Sequence, residues 1–314
     1  MIKNGSFRRI LVATFALLIV LLSLYLFPKD EVKIPRKTIY KKASTSTIYL
    51  IDKNDYVART MINIDAKEKE AKAIELINAL IKGTSKNKYL PNGFKSYIPS
   101  GTIINKLSIE DELITIDFNE NFLDIKNLQE EKMIESLVYT LTEIDGINNV
   151  KILINGNELN KLPISGKNMP AILNRSIGIN KKVKTNTLKN TQDVTTYFIS
   201  EYNSETYFIP VTMTTDNNSE KIEIIIKELE AKDNIDKNLS TYISAGTVLQ
   251  NYQILENEFN MEFNDLIFNG LDNISEETIY GLALSIKDNY GINKISIDVN
   301  NKQIMAYTLK NSWK

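Results

Sequence analysis

Between Leu107 and Phe118 the apolar residues fall on alternate positions. Leu107 and Ile109 lead into a charged turn at Glu110–Glu112, and Ile114, Ile116 and Phe118 resume the alternation. A period of two across a short polar turn predicts a half-buried β-hairpin. The pattern recurs with Tyr252 and Ile254, a turn at Glu256–Glu258, then Phe259, Met261 and Phe263. Thr102–Phe122 lies over Thr247–Ile267 without a gap, each segment beginning within one of two similar phrases, YIPSGTIINKL from Tyr97 and YISAGTVLQNY from Tyr242.

The period then changes. Ile134, Leu137, Val138, Leu141 and Ile144 form one stripe at helical spacing, and Ile279, Leu282, Ala283 and Ile286 form its counterpart. Gly146 and Gly291 follow, and glycine takes the left-handed conformation that stops a helix. A strand comes next in each half, through Val150, Ile152 and Ile154 or Ile295, Ile297 and Val299.

Upstream, Thr47–Ile51 and Thr195–Ile199 predict a first strand, and Thr60–Ile64 and Tyr207–Met213 a second. Asp65-x-x-Glu68 and Asn217-x-x-Glu220 resemble capping boxes at a helix start. The core faces expected there are Ile74, Ile77 and Ile81, and Ile222, Ile225 and Leu229. Each half therefore reads β-β-α-β-β-α-β. The expected fold is α+β: two tandem domains, each a mostly antiparallel sheet with two helices on one face.

Ile10–Phe27 is uncharged and mostly apolar, near the minimum length for crossing a bilayer core. Lys3, Arg8 and Arg9 precede it, and no small-residue cleavage site ends it, so it reads as an uncleaved transmembrane anchor. Six basic residues from Lys29 to Lys42 follow, so basic residues alone do not fix its orientation. The expected division is a cytoplasmic N-terminus over 1–9, an anchor over 10–27 and a basic stalk over 28–43. Domain 1 follows at 44–160, a basic linker at 161–193, domain 2 at 194–306 and a tail at 307–314.

Composition removes whole classes of chemistry. The chain has 314 residues, no cysteine and no histidine. Disulfides, thiol catalysis, lipid attachment to an N-terminal Cys, histidine-based triads and His-bearing zinc sites are excluded. A formal net charge of −1 gives no global reason to bind nucleic acid.

The ordered set carries a resemblance. It comprises the opening strand, AIELINALIKG (Ala73–Gly83), the IPSGT turn, LITIDFNENF, the block ESLVYTLTEIDGINNVKILING (Glu135–Gly156), and a second copy of the pattern. Over most of residues 44–305 the chain resembles the GerM family, extracytoplasmic proteins of bacterial spore formation and germination. The resemblance implies two tandem GerM-like domains outside the membrane, in the space between mother cell and forespore. It also implies a role in assembly with envelope or sporulation membrane proteins. The family often uses a lipoprotein anchor, a role that would fall here to residues 10–27.

Several groups could carry chemistry. Asn160–Gln192 holds Lys161, Lys167, Arg175, Lys181, Lys182, Lys184 and Lys189 and no acidic residue. It reads either as a docking segment for an acidic partner, an anionic glycan or a membrane surface, or as a solvated tether. Arg175, Lys181, Lys182 and Lys184 are the candidate partner-binding residues. Asp117, Asn119 and Glu120, with Glu262, Asn264 and Asp265, offer oxygens for Ca²⁺, but no calcium loop follows and strand ends explain them. Ser85-x-x-Lys88 lacks the companion motifs of penicillin-binding enzymes. Glu130–Glu131 and Glu276–Glu277 sit at helix starts, where anions suit the helix dipole. Tyr197, Phe198, Tyr202, Tyr207 and Phe208 suit a sheet, or a sugar if exposed. No catalytic residue, cofactor or metal is expected. The reading is a non-catalytic, membrane-anchored assembly protein, with peptidoglycan binding or wall modification as the alternative.

Overall fold

The computed structural model describes residues 14–18, 44–126, 129–187, 189–230, 236–270 and 273–309. The chain divides into a segment, Met1–Lys42, and a body, Ala43–Lys314. Of the anchor expected over 10–27, only 14–18 are described, and they are helical; the rest, like the stalk, lies outside the described residues. Among the described residues no helix is long and apolar enough to cross a membrane.

In the body, repeat 1 runs β1 (Ser44–Ile51), β2 (Val57–Ile64), α1 (Lys69–Leu80), β3 (Ile104–Glu110), β4 (Leu113–Phe118), α2 (Glu130–Leu141), β5 (Asn149–Ile154) and β6 (Asn157–Glu158). A short β7 (Lys182–Val183) lies in the linker. Repeat 2 runs β8 (Gln192–Tyr202), β9 (Glu205–Thr215), α3 (Lys221–Glu230), β10 (Leu249–Leu255), β11 (Glu258–Phe263), α4 (Glu276–Tyr290), β12 (Lys294–Val299) and β13 (Lys302–Thr308). The duplicated α+β order is present, with one further strand closing each repeat. β13 carries repeat 2 past the boundary expected at 306.

The sheets depart from the expected single, mostly antiparallel sheet per domain. β3-β4-β5-β6 and β10-β11-β12-β13 each form a four-stranded sheet. Their central pairs, β4–β5 and β11–β12, are parallel. A helix connects each pair, and a helical crossover returns the chain in the same direction. The first hairpins leave their own repeats. β1–β2 and β8–β9 join through an antiparallel bridge between Arg59 and Phe208, making one shared sheet, with β7 on the free edge of β9. α2 packs on β1, and α4 on β8.

The hairpin patterns hold in detail. Leu107 faces Ile116 and Ile109 faces Ile114, while Tyr252 faces Met261 and Ile254 faces Phe259. A bulge falls at the same place in both copies, between Ile104 and Lys106 and between Leu249 and Asn251.

The helix details differ more. α1 buries Ala73, Leu76, Ile77 and Leu80, whereas Ile74, expected in the core, is exposed. The capping boxes do not form. Glu68 makes no side-chain cap; the Glu75 carboxylate, in the second turn of α1, accepts from the Asp65 and Ala66 N–H groups instead. In repeat 2 the Asn217 side chain bonds the Ser219 N–H before α3 begins. Gly291 ends α4 at φ 71°, as its position predicts, while α2 stops earlier and Gly146 turns the loop beyond it.

The linker is not a solvated tether along its first part. Leu162, Leu173 and Ile179 are buried in the core of repeat 1. Leu173 exchanges backbone hydrogen bonds with Val150, and Lys182–Val183 pairs with Met213–Thr214 of β9.

Candidate functional site

The polar groups kept in both repeats close turns. Asn119 accepts from the Ile103 N–H and donates to the Gly101 carbonyl; Asn264 does the same with Val248 and Gly246. Asp117 accepts from the Gly156 N–H, and Glu262 from the Asn301 N–H. These side chains, weighed as cation ligands, fasten the glycine turn and the last hairpin of each repeat. Among the described residues no cluster of three acidic groups is arranged to hold a metal. Ser85 and Lys88 lie on a short 3₁₀ turn, where the neighbouring Lys86 pairs with Glu75.

The junction between the repeats has a different character. Tyr49 and Tyr197 are equivalent residues, and their hydroxyls meet at 3.0 Å. The Tyr49 N–H donates to the Thr140 hydroxyl, and the Tyr197 N–H to that of Ser285, at the equivalent position. The Tyr49 hydroxyl also donates to Glu143 at 3.1 Å, and that of Tyr197 to Asp288 at 2.7 Å. The pairs are related by an approximate two-fold axis through the shared sheet.

Arg175 closes this arrangement. Its guanidinium pairs with both Glu143 and Asp288, donates from Nε to the Thr142 hydroxyl at 3.0 Å, and lies 4.8 Å from the centre of the Tyr139 ring. Lys287 adds a second cation to Glu143 at 3.3 Å. Burial alone would raise the Glu143 carboxyl, but Arg175, Lys287 and Arg59 hold it far below the ordinary carboxylate range. Burial raises the Tyr49, Tyr139 and Tyr197 phenols, so these hydroxyls remain donors at neutral pH.

Asn180 completes the junction. Extending the Arg59–Phe208 register along β2 and β9 sets Val57 opposite Pro210, which has no N–H. The Asn180 carboxamide fills that place. It accepts from the Val57 N–H at 2.8 Å and donates to the carbonyls of Val57 and Pro210 at 2.8 and 2.7 Å. The Asn180 N–H itself donates to Glu135, whose carboxyl is raised by burial despite that bond and the nearby Lys181.

The four candidate partner-binding residues are therefore engaged within the chain to different degrees. Arg175 is an internal clamp. Lys181 pairs with Glu131 and Glu135, and Lys184 with Glu228. Lys182 sits on β7, beside a small hollow that it lines with Lys184, Glu228 and Asp236. A partner would have to compete with these carboxylates. Glu130, weighed only as a helix-start anion, accepts from the N–H groups of Ile164 and Ser165 and holds the linker down. Of the aromatics, Tyr197, Phe198, Tyr207 and Phe208 are buried, and Tyr202 partly so.

Arg59 and Asn180 were not singled out by the sequence. Arg59 falls just before the strand expected at Thr60–Ile64, which in the structure begins at Val57 and includes it. Asn180 had no signal.

Both four-stranded sheets present an edge. Among the described residues β3 pairs only with β4, and β10 only with β11. Ile103 and Val248 are exposed at the start of these edges, and Ile254 and Leu255 at the end of β10.

Comparison with known proteins follows the duplication. A family described as Germane, sporulation and spore germination, matches residues 47–160 and 195–305. The spore germination protein GerM of Bacillus subtilis (strain 168) is 31% identical over 263 residues, 81% of this chain and 71% of that protein. The solved tandem GerMN domains of the sporulation protein GerM from Bacillus subtilis superpose with a TM-score of 0.78 at 28% identity. That match covers 86% of this chain and 98% of the solved one.

Proposed function

The chain belongs to the Germane family of sporulation and spore germination proteins, and from that membership we propose that it is a non-catalytic assembly protein of the spore envelope. In this reading residues 10–27 anchor it in the membrane, its two repeats lie outside the cytoplasm, and it joins sporulation membrane proteins there.

One observation carries the reading. The polar side chains that the repeats share at their turns and junction are engaged in holding the fold, while β3 and β10 offer open sheet edges with exposed apolar residues beside them. An open edge pairs with an incoming strand through main-chain hydrogen bonds, and its neighbouring side chains select the partner. Two such edges on one chain suit a connector.

The test is crosslinking in sporulating cells, comparing the natural chain with I254K/L255K, which places charge on the β10 edge. The natural chain should capture envelope proteins and the variant should lose them, with both equally abundant. Equal capture by the variant removes the edge from the mechanism. Retention of the purified protein on peptidoglycan, with no protein captured, would replace assembly by wall binding. Protease access to the repeats in spheroplasts, but not in intact cells, is the expected topology.

A further inference from the structure

The shared sheet treats its two ends unequally. Val57 opposite Pro210 is closed by Asn180. On the other side of the Arg59–Phe208 bridge, the same register would set Met61 opposite Thr206. No backbone pair forms there. The strands part around a cleft of about 580 Å³, lined among others by Arg59, Met61, Phe94, Tyr202, Thr206 and Tyr280. That volume is in the usual range of ligand pockets.

Arg59 gives the cleft its chemistry. It is 5% exposed, it donates from Nη2 to the Thr47 hydroxyl at 2.9 Å, and its guanidinium lies 5.1 Å from the centre of the Tyr280 ring. Its Nε–H has no partner, and among the described residues no carboxylate forms an ion pair with it. Arg59, Arg175 and Lys287 face two buried carboxylates, Glu143 and Asp288, and the two carboxylates are held by the other two cations. Glu143 acts on Arg59 only from beyond ion-pair distance, and a buried N–H donor left unmet costs stability unless an acceptor completes it. The fold itself does not require the Arg59 charge, because the equivalent position in repeat 2 is Pro210.

We propose that the cleft binds a carboxylate carried on an extended peptide. The carboxylate meets Arg59, the peptide main chain follows the parted edges at Met61 and Thr206, and its side chains lie against Phe94 and Tyr202. Asn180 shows the principle, since on the other side of the Arg59–Phe208 bridge a bend of the linker, at φ 48°, meets the main-chain groups of both strands through a carboxamide. The main-chain edges favour a peptide over a carboxylated sugar. The residues are distinct from the β3 and β10 edges, so this site stands or falls separately from edge docking.

The full chain in detergent is titrated against peptides carrying an uncharged N-terminal fluorophore without a carboxyl group, read by anisotropy. The probes are TVTVE-amide, with a side-chain carboxylate; TVTVT, with a free C-terminus; and the neutral TVTVQ-amide. At least one carboxylate peptide should saturate below about 1 mM and bind at least tenfold more tightly than the neutral one; which of the two binds identifies the carboxylate's source. R59Q should weaken it at least tenfold, and R59K should restore most of the loss. Thermal unfolding of R59Q and R59K sets the temperature at which both are folded, and binding is compared there, so that lost binding is not lost folding. Equal binding of the neutral peptide, undiminished binding to folded R59Q, or no saturation by either carboxylate peptide overturns the proposal. Saturable binding of N-acetylmuramic acid by calorimetry, where no peptide binds, overturns the peptide and assigns the cleft to a carboxylated sugar.

Discussion

Asn119 of repeat 1 and Asn264 of repeat 2 close the same turn with the same two hydrogen bonds, whereas the polar groups around the junction coincide only in part. Tyr49 and Tyr197 match, and Glu143 and Asp288 are alike. Thr142, however, is answered by Lys287, Ser136 by Gly281 and Arg59 by Pro210. The difference follows from what each contact serves. A turn must be closed once in every repeat, so both copies keep the residue that closes it. The junction exists once, and Arg175 near its axis serves both carboxylates, so each copy is free to depart from the other there. Divergence between equivalent positions thus marks where the two domains became parts of one object.

Removing Arg175 is the strongest way to break this comparison. R175M leaves Glu143 and Asp288 buried without their shared cation and should cost about 3–5 kcal/mol, measured by chemical denaturation. If the junction makes the repeats one cooperative unit, the single transition should split into two. A variant that unfolds in one step with natural stability would show that the repeats are joined by apolar packing alone.

Asn180 comes next. N180A removes three hydrogen bonds and leaves the carbonyls of Val57 and Pro210 and the Val57 N–H unmet, for a loss of about 1–3 kcal/mol. Hydrogen exchange at the Val57 amide should accelerate in this variant and not at the Arg59 bridge.

Acid separates the junction from the turns. The carboxyl of Glu143 lies lower in the folded chain than in the unfolded one. Its contribution is therefore present above the ordinary glutamate range and lost as pH falls through it, from about pH 4 downward. The natural chain should lose stability below pH 4 more steeply than E143Q, by at most about 1.4 kcal/mol per pH unit for this group. Parallel curves for the two would show that Glu143 is not held ionised by the junction.

The smallest effects test the shared side of the comparison. N119A and N264A should each cost about 1 kcal/mol by thermal unfolding, and equally. A large inequality would mean that one of the two turns has acquired a further role.

The sequence carried the fold's local layers well, because a hairpin and an amphipathic helix write their periods into neighbouring positions. Ile114, Ile116 and Phe118, or Ile134, Leu137 and Val138, announce their buried faces without reference to the rest of the chain. The shared sheet was hidden because the Arg59–Phe208 pairing depends on residues far apart and leaves no period. The same reason hid Asn180, whose value lies in an N–H that Pro210 lacks. Arg175 was visible as one of the candidate partner-binding residues, but its two carboxylates come from different repeats, so its direction, inward to the junction, was not.

Pro210 also bears on how molecules of this chain remain separate from one another. Antiparallel joining of two similar hairpins is a geometry that two different chains could satisfy by exchanging repeats. At Pro210, however, the ladder is finished by Asn180, a residue delivered by the same linker that connects the repeats. Tethering holds that residue near its place at an effective concentration in the millimolar range, far above that of a second copy in a membrane extract. The proline thus makes closure depend on connectivity, and it favours each chain folding on itself over trading halves with its neighbour.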